Sequence, residues 1–281
     1  MAKLTGPTIP RWQLGEELGR LRRAAAMSEA EVADRLGCSE SKIKKIEAGY
    51  VGVVRAELLA MLDMYGMTDS GSRDELLELQ RLGKQRGWWL RFGAVPAPLA
   101  QLLDLEGAAT TLRIFEPMVV HGLLQTEGYA RATAGTVMIG ATEERREREV
   151  ALRLARQERV LAEPPEMWVI LDEAVLHRVV GSPAVMREQL EHLIAMSERI
   201  NLQVVPFSHG GYPGTLGAFT IFEFAENTHS PVVYVEGPAG NLYMEREADL
   251  QRSSVVFAHM IAAALSQTES RKLIARLAEQ Y

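Results

Sequence analysis

The sequence predicts two domains of different class. A mainly α N-terminal domain of five helices precedes an α+β C-terminal domain whose mixed sheet is flanked by helices. Three observations predict this. Apolar residues recur at helical spacing in five segments between residues 12 and 86. Strand-like apolar runs start at Leu112 and fall in one block between helical segments. Gly and Pro punctuate residues 83–97, which marks a boundary. The 281 residues fit about two domains.

Composition sets the class. Apolar content of 47% and charged content of 24% describe an ordinary soluble globular chain. No apolar run follows Lys3, so no signal peptide is expected. No stretch approaches the roughly 18 apolar residues that span a bilayer, so no membrane association is expected. Cys38 is the single cysteine, which excludes an intrachain disulfide framework and a multi-cysteine metal site. A reducing cytoplasm follows. Cys38 itself reads as a small, half-buried filler. Net charge is −6, unlike a basic DNA binder. Residues 1–65 carry ten Lys and Arg against nine Asp and Glu, while residues 66–281 carry 21 against 28. Any DNA affinity must therefore come from local geometry, and a dimer that adds two modest half-sites is expected.

Taken in order, residues 1–11 are polar with Pro7 and Pro10 and read as a flexible arm. Residues 12–26 form a helix with Leu14, Leu18 and Leu21 on one face. Ser28 with Glu31 makes a capping box that starts the second helix, where Val32, Ala33 and Leu36 face inward. Gly37 ends it. Ser39 caps the third helix, with Ile43 and Ile46 inward and Ser41, Lys42, Lys44 and Lys45 on the other faces. Residues 54–65 give the fourth helix, through Leu58, Leu59, Leu62 and Tyr65. Residues 69–86 give the fifth, through Leu76, Leu79 and Leu82. A small residue at 33, a glycine four later and a β-branched residue six after that form a helix-turn-helix pattern. Ala33 lets the two helices approach, Gly37 supplies the turn, and Ile43 packs between them. The outward face of the third helix is then free to enter a major groove. The domain spans residues 12–82, and residues 83–97 form a linker in which Trp88 and Trp89 pin the chain onto the second domain.

These residues resemble the Xre/lambda-repressor-like DNA-binding domain over roughly residues 12–66. The resemblance implies that Arg22 and Glu47 form the pair joining the first helix to the recognition helix. It implies base contacts at Glu40, Ser41 and Lys45 and phosphate contacts near Ser39, Lys42 and Lys44. Glu29 stands where that family often has a glutamine touching phosphate, and a carboxylate there would repel the backbone.

The second domain, residues 98–281, opens with a helix at about 98–108 and a strand from Leu112 to Phe115. Thr126 caps a helix carrying Tyr129. Residues 142–162 form a long helix on which six Glu between residues 143 and 163 interleave with the arginines, so a solvated or subunit-facing helix is expected rather than a nucleic-acid surface. The strand 167–172 follows, then helices 173–179 and 183–199, a strand from Leu202 to Phe207, a glycine-rich loop and the strand Ala218–Phe224. Pro231–Glu236 and Asn241–Met244 are two more strands, and helices at about 246–265 and 268–280 close the chain.

This domain is similar to the uncharacterised sensor or partner-binding domain of actinobacterial Xre-type regulators. The match lies in Gly122-Leu123-Leu124-Gln125-Thr126 with Tyr129-Ala130, in Arg153-Leu154-Ala155-Arg156-Gln157, in Leu171-Asp172-Glu173, in Met186-Arg187-Glu188-Gln189-Leu190, in Val204-Val205-Pro206-Phe207, in Val233-Tyr234-Val235-Glu236, and in Ala264-Leu265-Ser266 with Glu269-Ser270. The pattern usually has proline where this chain has His121. The resemblance implies a small acidic partner protein encoded nearby and an antitoxin-like pairing.

Enzyme readings fail on their missing partners. His209-Gly210-Gly211 lacks a Gly-x-Ser-x-Gly elbow. The Ser and His of Asn227-Thr228-His229-Ser230 are adjacent in sequence, which is not a triad. Glu173 with His177 and Glu188 with His192 lack a third metal ligand at useful spacing. Carboxylates at 172, 173 and 236 stand at strand ends, compatible with a pocket. No catalytic residue, cofactor or metal is assigned. The expected function is a sequence-specific, homodimeric transcriptional regulator of double-stranded DNA, acting on the nucleoid. Its C-terminal domain would sense a small partner protein or a small-molecule effector. The alternative is an antitoxin-like interaction module whose DNA binding is autoregulatory.

Overall fold

The computed structural model describes residues 6–226, 229–237 and 240–281. It divides into two compact units, the chain to Ala108 with Ala225–His229, and Ala109–Phe224 with Ser230–Tyr281.

The first unit holds α1 (Thr8–Ala24), α2 (Glu29–Leu36), α3 (Glu40–Glu47), α4 (Arg55–Met64), α5 (Ser70–Leu82) and α6 (Ala97–Ala108). Ser28 and Glu31 form the expected reciprocal box, and Asp69 caps α5 by accepting from the Ser72 N–H at 2.7 Å. Leu18, Val32, Ile43, Leu58, Met61 and Leu62 make the centre of one core, with Cys38 half-buried against it. The arm expected over residues 1–11 is shorter than its polarity suggested. Residues 1–5 lie outside the described residues, but Thr8–Arg11 are already helical because Ile9 and Trp12 are buried. Trp89 is buried in this unit, so it does not serve the second domain as expected. Helix α6, expected to open the second domain, also groups with the helical unit and packs on α1.

The second unit is a six-stranded mixed sheet in the order β3-β2-β1-β4-β5-β6. The strands are β1 (Thr111–Glu116), β2 (Glu166–Asp172), β3 (Asn201–Val205), β4 (Phe219–Glu223), β5 (Val232–Gly237) and β6 (Gly240–Met244). β1, β2 and β3 run parallel, with Ile114 opposite Val169 and Val169 opposite Leu202. The crossover between β1 and β2 carries α7 (Glu127–Val137) and α8 (Glu143–Ala162); that between β2 and β3 carries α9 (Ala174–His177) and α10 (Pro183–Met196). β4, β5 and β6 pair antiparallel. The chain closes with α11 (Glu247–Ala263) and α12 (Gln267–Ala278). Phe257 and Met260 of α11 pack on Phe115, Ile170, Val205, Ile221 and Val233 across one face of the sheet.

Several family-pattern residues of this unit turn out to be fasteners. Gln157 donates to the Gly122 and Gln125 carbonyls at 2.7 and 2.8 Å, and Arg153 donates to the Gln125 side chain at 2.6 Å. Gln189 donates to the Leu124 carbonyl and accepts from the Thr126 N–H, both at 2.8 Å. These bonds hold the 122–126 loop, whose backbone groups would otherwise be buried without partners. His121 takes φ −57°, a value that proline also imposes, so the turn survives the replacement. At the sheet edge, Ser270 accepts from the Val204 N–H at 2.9 Å and the Leu265 N–H donates to the Val204 carbonyl at 2.8 Å. The edge strand β3 is thereby covered.

Candidate nucleic-acid interface

The turn between α2 and α3 is built from local chemistry. Gly37 takes φ +64°, which a Cβ would strain. Its N–H reaches the Asp34 carbonyl at 3.1 Å and the Cys38 N–H reaches that of Ala33 at 2.9 Å, closing α2. Ser39 then accepts from the Lys42 N–H at 3.3 Å and starts α3. Ile43 and Ile46 are buried, which turns Glu40, Ser41, Lys44 and Lys45 outward.

A buried guanidinium fixes α3 against α1. Arg22 Nε donates to Glu47 Oε1 at 2.6 Å and Nη2 to Oε2 at 2.9 Å, a bidentate pair. The same Arg22 donates to the Met27 carbonyl at 2.8 Å and to Glu29 Oε1 at 3.0 Å. Hydrogen bonding to Glu47 raises the Arg22 pKa above its ordinary value, against the opposing effect of burial. Glu29 is therefore the third group of this cluster, its charge turned to Arg22. The expected repulsion of phosphate from this carboxylate is correspondingly reduced.

Two glycines in α1 make this approach available. A Cβ at Gly15 would lie 2.5 Å from the Glu47 carbonyl oxygen and 2.6 Å from that of Ile46. One at Gly19 would lie 3.0 Å from Glu47 Oε2. The sequence reading overlooked both. The signal was there: two glycines four apart inside a helix cost stability unless something packs against them.

The outward side chains are not equally free. Lys42 Nζ bonds Glu57 Oε1 of α4 at 2.5 Å, and this bond raises the Lys42 pKa. Lys44 Nζ pairs with Glu40 Oε1 at 2.5 Å, which raises the Lys44 pKa. Lys45 has no side-chain partner among the described residues and is exposed, as is Ser41. Tyr50, just past α3, is 71% exposed. Of the six residues expected to meet DNA, Ser41 and Lys45 are exposed, Ser39 is also the cap, and Lys42, Lys44 and Glu40 are held in ion pairs, that of Lys42 part-buried and that of Lys44 with Glu40 exposed. An exposed pair such as Lys44 with Glu40 is worth about 0–1 kcal/mol, little enough for a competing anion to displace.

The sites weighed for other chemistry are taken up by structure. Asp172 accepts from the Ala174 N–H at 2.7 Å and from the Tyr212 hydroxyl. Glu173 accepts from the Phe207 N–H at 2.6 Å and lies 3.2 Å from His177 Nε2. Among the described residues no cluster of three or more His, Cys, Asp or Glu could hold a metal ion. Asn227 and Thr228 lie outside the described residues. At the end of β1, burial and the Glu236 charge push the Glu116 carboxyl up to about 8, with Arg156 opposing. Burial and the charges of Arg156 and Arg153 hold His121 well below the ordinary imidazole value, so it is neutral.

No helix among the described residues is long and apolar enough to cross a membrane. The model of a helix-turn-helix domain matches residues 13–76. The model of a domain of unknown function, DUF5753, matches residues 99–276. No curated protein and no solved structure matches the chain.

Proposed function

The chain belongs to the DUF5753 family and begins with a helix-turn-helix domain, and from these premises we propose that it is a sequence-specific, homodimeric transcription regulator of the Xre type. The observation that carries this reading is the outward face of α3, where Ser41 and Lys45 stand exposed over a helix locked by Arg22, Glu47 and Gly15. Lys45 reads guanine O6 and N7, Ser41 a neighbouring base edge, and Glu40 a cytosine amino group. Ser39, Lys42 and Lys44 hold phosphates and fix register. The chain works in the cytoplasm, on the nucleoid, and carries out no catalytic step.

The DUF5753 domain, in this reading, senses a small acidic partner protein encoded nearby, in an antitoxin-like pairing; a small-molecule effector is the competing input. Its place behind a helix-turn-helix domain in one chain is what suggests a signal-receiving role. Genome-wide footprinting of the chain with and without the neighbouring gene product tests the reading. The expected result is a two-fold symmetric motif with half-sites about 10–10.5 base pairs apart, or a multiple, whose occupancy changes with the partner. Binding without sequence preference would overturn it.

A further inference from the structure

Net charge is −6, yet no Asp or Glu stands between Glu78 and Asp104, while Arg81, Lys84, Arg86 and Arg91 do. This basic segment lies beyond residues 13–76, which the helix-turn-helix model covers, and it belongs to the same compact unit as α3. It is pinned on both sides of its turn. Arg11 Nε of α1 donates to the Gly83 carbonyl at 2.6 Å. Trp89 is buried, with Gly87 against its ring. Between these anchors Lys84 and Arg86 are exposed and make no ion pair among the described residues. Arg81 is paired with Glu78, and Arg91 lies over the Phe92 ring at 4.8 Å. A turn already fixed at both ends presents its cations with little further ordering to lose on binding.

The segment stands beside the exit from α3. Arg11, which holds Gly83, precedes Trp12, and a Cβ on Gly49 would lie 3.0 Å from the Trp12 Cα. Gly49, Tyr50, Lys84 and Arg86 accordingly border one open hollow at the start of α1. Helix α3 has eight residues, so it is about 12 Å long, close to the width of the major groove. A helix of that length seated in the groove ends at a phosphate wall. The chain that leaves α3, and what stands beside it, then faces DNA backbone. We propose that Lys84 and Arg86 form a second phosphate-binding element, which grips the DNA backbone past the C-terminal end of α3. The contact is electrostatic and carries no sequence information. Two free cations would suit an acidic protein as well; their place beside Tyr50 and the exit from α3 favours DNA. The proposal rests on the DNA-binding reading above and goes beyond its residues, all of which lie in α3 or its cap.

The test uses the full chain, the mapped operator and an unrelated duplex of equal length. Affinity is measured against salt for the native chain and for the double variant Lys84→Ala, Arg86→Ala. The variant should unfold at the same temperature as the native chain. It should bind both duplexes at least about tenfold more weakly at about 0.1 M salt, with a salt slope flatter by about two units. Its operator motif should be unchanged, unlike that of Lys45→Ala. The double variant Lys84→Arg, Arg86→Lys keeps both charges and should retain the native slope. An unchanged slope and affinity in the alanine variant would overturn the element while leaving the α3 reading standing. Loss of binding to polyglutamate with DNA binding intact would overturn it in favour of an acidic protein. A loss confined to the operator would contradict the phosphate role. A native chain that binds DNA without sequence preference would overturn the α3 reading instead, and the slope on the unrelated duplex still decides the element.

Discussion

The proposed base recognition turns on Lys45. It is exposed and unpaired among the described residues, while Lys42 and Lys44 are each already held by a carboxylate. Lys45→Ala is expected to weaken specific binding by roughly 1–3 kcal/mol in a gel shift against the mapped operator. Lys42→Ala should weaken all sequences alike and flatten the salt slope by about one unit. A loss confined to one operator base would contradict that role. Arg22 acts through position rather than contact. Arg22→Ala leaves Glu47 and Glu29 facing each other without their cation, so it should destabilise the helical unit by about 3–5 kcal/mol, read by urea unfolding. At this scale the sequence was most legible where partners are near neighbours: Ser28 with Glu31, Gly37, and Ser39 with Lys42 are all set within four residues. Glu57 on Lys42 and Thr8 on Asp104 are long-range pairings, which no local spacing encodes.

The elements follow their caps and apolar stripes, but how closely they approach depends on residues with no side chain. Gly15 decides the seating of α3 on α1. An ordinary Gly→Ala change in a helix stabilises by about 0.5–1 kcal/mol. Gly135 in α7, whose missing Cβ has open space around it, should show that gain. Gly15→Ala should show the opposite sign and lower operator affinity as well, because a Cβ there meets the α3 carbonyls. Equal stabilisation by both changes in thermal unfolding would contradict the close approach. The helix and strand pattern of the second unit was legible from periodicity. The roles of Gln157, Gln189 and Ser270 were not, since a glutamine or serine that bonds a distant backbone carries no periodic signature.

Across the whole molecule, one buried and one half-buried carboxyl tie stability to pH. Burial pushes Asp104 up to about 7, against the Thr8 hydrogen bonds and Arg11, and Glu116 up to about 8. Both folded values exceed those of an unfolded chain, so the native state keeps these protons longer. Their contribution is full below a pH of about 4 and is lost as pH rises through 7 and 8. Urea unfolding across that window should show a falling component that Asp104→Asn and Glu116→Gln each reduce. A slope unchanged in both variants would contradict the assignment. The Gly and Pro of residues 83–97 mark a boundary in the sequence, whereas the compact units divide after Ala108, and the fate of α6 was not legible. Its pairing with α1 depends on Asp104 reaching Thr8, 96 residues away.

The central claim is that an exposed, locked α3 reads DNA sequence. Footprinting of the full chain beside Lys45→Ala tests it most directly. The account predicts a symmetric motif bound by the native chain and lost or relaxed at one position of each half-site in the variant. An identical motif and occupancy for both proteins would contradict it.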